Sequence, residues 1–184
     1  MIQHLPDKAR LRRQQAELRR QALPAVERAI RRQVEALLAR WPRESGLLGV
    51  YWPLRHEVDL RRLAAPLPLA LPAVSERQLR YRPWDGHSSL EADDCGIPAP
   101  AAAAGELRAP DLSLLLIPAL AIDPQGFRLG YGGGWYDRLR CQPDWRQVPC
   151  LAVLPHACLT ARLPRDAWDI PLDGWVSEQG WRWL

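Results

Sequence analysis

The chain is nearly without lysine: Lys8 stands alone among 25 basic residues, and arginine fills every other basic position. There is no apolar run near the length of a membrane span, so a spanning protein is not expected. The first residues, MIQHLPDKARLRRQQAEL, lack the continuous apolar stretch of a secretory leader, and a cytoplasmic location is the resulting expectation. Cys95, Cys141, Cys150 and Cys158 form no CxxC pair and share no spacing with histidine. That argues against a zinc site or a disulfide framework and for reduced thiols. Internal repeats and low-complexity tracts are missing as well.

What is present is ordinary globular material. With 184 residues, 47% of them hydrophobic and 25% charged, the chain is long enough for one domain with its own core and short for two. A single domain over 1–184 is therefore expected. The net charge of +4 suits a polyanionic partner, either nucleotide or nucleic acid. Arginines and tryptophans together also fit an RNA-binding surface. The arginines are scattered among acidic neighbours, however, with no basic stripe beyond the N-terminal helix and no RNA module, so no nucleic-acid partner is expected.

Hydrophobic spacing at Val26, Ile30, Val34, Leu37 and Leu38 predicts helix within 7–40, and Pro24 predicts a division into two helices. GLLGVYWP and PLALPAV read as strands with a short helix, DLRRLAA, between them, and QLRYRPW reads as a half-exposed strand. Residues 85–110, with Pro98, Pro100 and Pro110 around an alanine run, read as loop. DLSLLLIPAL is apolar on both faces, as a central parallel strand should be. A helix through WYDRLR and strands at VPCLAVL and GWVS complete the pattern. Strands alternating with helices predict an α/β fold with helices on both faces of the sheet.

The most informative stretch is RLGYGGGWYDR, residues 128–138. Glycines between a strand and a helix let backbone N–H groups converge on an anion. The Gly-Lys-Ser/Thr of the Walker pattern is missing, and glycine count alone is equally consistent with a tight strand-to-helix connection. The flanks favour phosphate: Arg128 offers a fork of donors, and Asp137 a carboxylate for magnesium. Lys8 and Arg12, four apart, share one face of a helix whose first turn should prefer acids. An anion between them would relieve the conflict; a solvated basic face is the plainer alternative.

KARLR, YWPLRHEVD, LLLIPALAIDPQGFRLGYGGGWYDR and LPRDAWDIPLD occur in an order that resembles the 5-formyltetrahydrofolate cyclo-ligase family, also called 5,10-methenyltetrahydrofolate synthetase. The resemblance covers almost the whole chain. It implies one three-layer α/β domain with a mostly parallel central sheet, akin to the sugar-phosphate isomerase and CoA-transferase group, preceded by a long helical segment. It also implies conversion of 5-formyltetrahydrofolate, including polyglutamylated forms, with MgATP into 5,10-methenyltetrahydrofolate, ADP and phosphate by a monomer.

By the same resemblance, Lys8 and Arg12 hold ATP phosphates, and Arg128, Leu129, Gly130, Tyr131, Gly132, Gly133, Gly134, Trp135 and Tyr136 form the phosphate loop. Asp137 and Asp169 bind magnesium, Glu57 and Trp52 contact the folate, and Tyr136 steers the formyl oxygen. The sequence departs from the family at Ile122, Ala99 and Cys158, where relatives carry Phe, Glu or Gln, and Gln. Ile122 thereby predicts a pocket short of one aromatic wall. A relative that keeps the ATP loop and has changed its folate chemistry is the chief alternative.

Overall fold

The computed structural model describes residues 7–42, 46–63 and 68–184. Helix α1 (Lys8–Leu38) starts at Asp7, whose side chain accepts a hydrogen bond from the Ala9 N–H at 3.2 Å. That cap answers the missing acids of the first turn. A stripe of Leu11, Gln15, Arg19, Leu23, Ile30, Val34, Leu37 and Leu38 is buried. Pro24 lies inside this helix on its exposed side and does not divide it, contrary to the two helices expected. A proline costs a helix interior about 3 kcal/mol, whereas each buried aliphatic side chain contributes about 1.5–3 kcal/mol, so the stripe outweighs the break.

Strands β1 (Leu47–Gly49), β2 (Leu69–Ser75) and β3 (Gln78–Trp84) follow. After them come a small ribbon of β4 (Leu90–Ala92) and β5 (Pro98–Pro100), the long strand β6 (Leu112–Pro118), and a second ribbon of β7 (Ala121–Ile122) and β8 (Arg128–Leu129). Helices α2 (Trp135–Arg140) and α3 (Pro143–Gln147), then β9 (Cys150–Val153), β10 (Gly174–Ser177) and β11 (Gly180–Trp183), complete the chain.

Seven strands form one sheet in the order β11-β10-β9-β6-β1-β2-β3, parallel except where β3 and β11 join at the edges. Alternation along β6 explains its apolar composition. Leu114 and Leu116 pack with Ile30, Val34 and Leu38 of α1, whereas Leu115 and Ile117 pack with Leu139 of α2 and Trp145 of α3. The sheet is thus covered on both faces, as the sequence pattern predicts.

Three local expectations change. DLRRLAA is not a helix over its described part: Asp59 and Leu60 are coil and Arg61–Arg62 a turn, while Ala64 and Ala65 lie outside the described residues. Asp59 accepts from the Arg61 N–H at 3.0 Å and from its guanidinium, a local alternative to helix. Residues 85–110 hold the β4–β5 ribbon and two 3-10 turns rather than loop alone. Asp93 organises that ribbon by accepting from the backbone N–H groups of Val74, Cys95 and Ile97. The last strand, β11, was not anticipated; it pairs with β10 and stacks Trp183 on Trp41 at 5.8 Å.

The chain leaves β1 toward β2 on one side of the sheet, and β6 leads to β9 and β10 on the other. Crossovers therefore diverge between β1 and β6, opening a crevice at their carboxyl ends.

Candidate active site

A cavity of about 410 Å³ occupies that crevice. Its wall includes Lys8 and Arg12 from the start of α1, Trp52 and Glu57 from the segment after β1, the whole run Arg128–Asp137, and Asp169. Every residue given an ATP, folate or magnesium role from the sequence lines this one cleft.

The glycine run owes its shape to backbone conformations that side chains resist. Gly132 has φ +105° and Gly134, the residue capping α2, has φ +65°. Two loop carbonyls are taken by arginines: Arg12 Nε donates to Gly130 O at 3.0 Å, and Arg138 Nη1 to Gly133 O at 2.9 Å. A Cβ at Gly132 would stand 3.4 Å from the Arg12 guanidinium carbon, so the loop and α1 pack backbone against cation. Arg128 is almost fully buried; its Nη2 lies 3.4 Å from Asp137 Oδ2 and its guanidinium 5.1 Å from the centre of the Tyr136 ring. Burial pushes the Tyr136 hydroxyl well above the ordinary tyrosine range, so it remains a donor.

Lys8 sits between two carboxylates. Its Nζ donates to Asp166 Oδ2 at 2.6 Å and Asp169 Oδ2 at 2.7 Å, and the Asp166 N–H also donates to Asp169 Oδ2 at 2.7 Å. Burial lowers the lysine pKa, but the two hydrogen-bonded carboxylates outweigh it and the net shift is upward. Lys8 is therefore charged throughout the physiological range. Asp166 was not singled out from the sequence; its signal is the spacing of two aspartates in RDAWD around a lysine 158 residues away, invisible without the fold.

Glu57 also lines the cleft, 6% exposed and facing Tyr131 of the glycine run. Its Oε2 accepts from the Leu54 N–H at 2.8 Å, while Oε1 has no hydrogen-bond partner and lies 3.8 Å from Arg19 Nη1. Burial raises the Glu57 pKa, and the Leu54 N–H, Arg19 and the Tyr131 hydroxyl oppose that rise. Trp52 is held by the Arg61 guanidinium 4.4 Å from its ring and by an edge contact with Trp84 at 6.3 Å. Pro72, Val74, Leu79 and Ile97 extend an apolar shelf beside it. None of these four was expected: Pro72, Val74 and Leu79 read in sequence as plain strand residues, and Ile97 as loop.

The three departures lie elsewhere. Ile122, Ala99 and Cys158 are buried, Ile122 and Cys158 in the core beside β6 and β9, and none lines the cleft. The missing aromatic wall expected from Ile122 is thus corrected: its position on β7, paired with Arg128 of β8, turns it into the core.

Together, a mostly parallel sheet, a crevice at its switch point, a basic glycine loop and a buried carboxylate define an α/β protein whose single cleft combines anion-binding donors with a carboxylate acceptor beside an aromatic face. The model of the 5-formyltetrahydrofolate cyclo-ligase family matches residues 4–178, and the chain belongs to that family. It is 40% identical over 75 residues to a curated 5-formyltetrahydrofolate cyclo-ligase of Escherichia coli, covering 39% of this chain and 40% of that protein. A Haemophilus influenzae protein of the same name is 39% identical over 64 residues, 34% of this chain and 33% of its own. The chain thus spans about two fifths or less of the length of these curated relatives.

Solved structures match more broadly. An NMR structure of Aquifex aeolicus 5,10-methenyltetrahydrofolate synthetase has a TM-score of 0.74 at 28% identity, covering 96% of this chain and 92% of that one. A 5,10-methenyltetrahydrofolate synthetase from Mycoplasma pneumoniae has a TM-score of 0.72 at 20% identity over 94% of this chain and 99% of that one, a likeness of fold. Among the described residues, no helix is long and apolar enough to cross a membrane.

Proposed function

We propose that this protein joins 5-formyltetrahydrofolate to its own ring closure at the expense of ATP, giving 5,10-methenyltetrahydrofolate, ADP and phosphate. The observation that carries this reading is one cleft lined by both a basic glycine loop and Glu57, whose Oε1 has no hydrogen-bond partner; we assign the loop to the nucleotide end and Glu57 with Trp52 to the folate end. A carboxylate accepts hydrogen bonds from the amino and N–H groups of a pterin, and Trp52 offers a face on which such a ring stacks. Lys8, Arg12 and Arg128 supply cations for a triphosphate, with the backbone of 129–136 around them.

Among the described residues no cluster of three His, Cys, Asp or Glu side chains gathers as a protein cage for a metal. This donor set fits magnesium, which keeps several waters and takes one or two carboxylates plus substrate phosphates. Asp137 and Asp169 would hold it, Asp169 by sharing its carboxylate with Lys8. Held there, magnesium would supply charge neutralisation to the phosphates.

The chemistry asks for little covalent help from the chain. The formyl oxygen attacks the γ-phosphorus and ADP leaves; the p-aminobenzoyl nitrogen then closes the five-membered ring as phosphate departs. The protein's part is to hold oxygen and phosphorus in line and to balance charge, the usual burden of phosphoryl transfer. Tyr136, kept protonated, donates a hydrogen bond that orients the formyl oxygen. The substrate includes polyglutamylated folates, and the working form is a cytoplasmic monomer.

The test is a spectrophotometric assay of purified protein with 5-formyltetrahydrofolate, magnesium and ATP, following the near-ultraviolet absorbance of the methenyl product. Product that requires both ATP and magnesium is expected. Nucleotide binding without product would contradict the reading and favour a relative with altered folate chemistry.

A further inference from the structure

Arg19 touches both ends of the cleft, although its position in the middle of a basic helix gives it no obvious task. It is 4% exposed, on the buried stripe of α1. Its Nη1 donates to Ala119 O, just past the end of β6, at 3.3 Å and lies 3.8 Å from Glu57 Oε1. Its Nη2 donates to the hydroxyl of Tyr131, the one large side chain inside the glycine run, and its guanidinium lies 5.3 Å from the centre of that ring. One planar fork thus joins the end of a central strand, the buried carboxylate and the phosphate loop.

The fork is rigid, so its partners are not independent. Glu57 Oε1 has no hydrogen-bond partner; Arg19 is the cation beside it, and the Tyr131 hydroxyl faces the same carboxylate. How far the guanidinium leans toward Glu57 depends on where Tyr131 holds its other nitrogen. Tyr131 rides on the glycine backbone, whose Gly132 and Gly134 adopt positive φ. An anion that orders the loop fixes Tyr131, Tyr131 fixes Arg19, and Arg19 fixes the carboxylate in its charged, accepting form. The same chain runs in reverse when a ring engages Glu57.

We propose that Arg19 and Tyr131 are positioning residues that couple the two ends of the cleft, so that nucleotide and folate each tighten the binding of the other. This rests on the assignment of the two ends made under Proposed function. Coupling between sites is reciprocal, and one hydrogen-bonded link of this kind corresponds to an affinity change of about fivefold or more.

Calorimetric titration of the full chain with a non-hydrolysable ATP analogue and magnesium, with and without saturating 5-formyltetrahydrofolate, reads the coupling directly. The expected result is a dissociation constant about fivefold or more lower with folate present. Tyr131→Phe removes one oxygen from a half-exposed side chain, keeps the melting temperature, and should bring the ratio close to one. Arg19→Lys keeps the charge but not the fork, and should do the same.

A wild-type ratio near one, or a ratio that survives Tyr131→Phe, overturns the coupling while leaving the functional reading intact. Failure of folate to bind in any combination overturns both. A merely structural role for either residue would lower stability or both binary affinities without moving the ratio.

Discussion

Glu57 shows what the site demands of a single residue. A carboxylate removed from water, with one oxygen bonded only to the Leu54 N–H and the other unpartnered, is a poor choice for stability. Its folded-state pKa is raised, so protonation favours the fold: that contribution is complete below the unfolded value and is lost as pH rises through the folded one. At neutral pH the charged form strains the site, and a ligand that donates to Oε1 relieves it. The same shift sets a pH prediction. Folate affinity should begin to fall at a pH above that of an ordinary glutamate as the solution is acidified, because Glu57 takes up its proton early. Glu57→Gln should weaken folate by about tenfold or more, the worth of a hydrogen bond to a charged group, and abolish the acid limb, with binary nucleotide affinity changed far less. Equal losses for the two ligands would remove Glu57 from the pterin end.

At the scale of elements, α1 and the glycine run carry the argument. Helical spacing made α1 legible, and Pro24 misled because a proline's cost is local while the stripe from Leu11 to Leu38 is buried along the whole element. Removing that cost should show. Pro24→Ala restores a backbone donor at an exposed position and should stabilise the protein by about 1–3 kcal/mol, raising the melting temperature by about 2–4 °C per kcal/mol. A lower melting temperature would mean that Pro24 itself helps to lay the stripe on the sheet.

The glycine run was legible for a different reason. Gly132 and Gly134 hold conformations that few other residues adopt, so the sequence itself records the backbone. Arg19 and Asp166 left no such record. An arginine at one more turn of a basic helix, or an aspartate near another, acquires meaning only when the fold brings Tyr131 and Glu57, or Lys8, beside it.

At the scale of the molecule, the strand order decides where everything meets. The divergence of crossovers between β1 and β6 brings the YWPLRHEVD segment, the glycine run and the start of α1 to one edge. Alternating apolar strands and helices announced the sheet, and the motifs marked residues that the fold gathers at one cleft. The apolar shelf of Pro72, Val74, Leu79 and Ile97 stayed hidden, since it depends on how the β2–β3 hairpin and the β4–β5 ribbon lean over the crevice.

The central claim is that this geometry passes the γ-phosphoryl group to the formyl oxygen. It is tested most directly by supplying 5-formyltetrahydrofolate labelled with heavy oxygen in the formyl group, together with magnesium and unlabelled ATP. The label should appear in the released phosphate, one labelled phosphate for each methenyl product. Label released to water, with unlabelled phosphate, would contradict it.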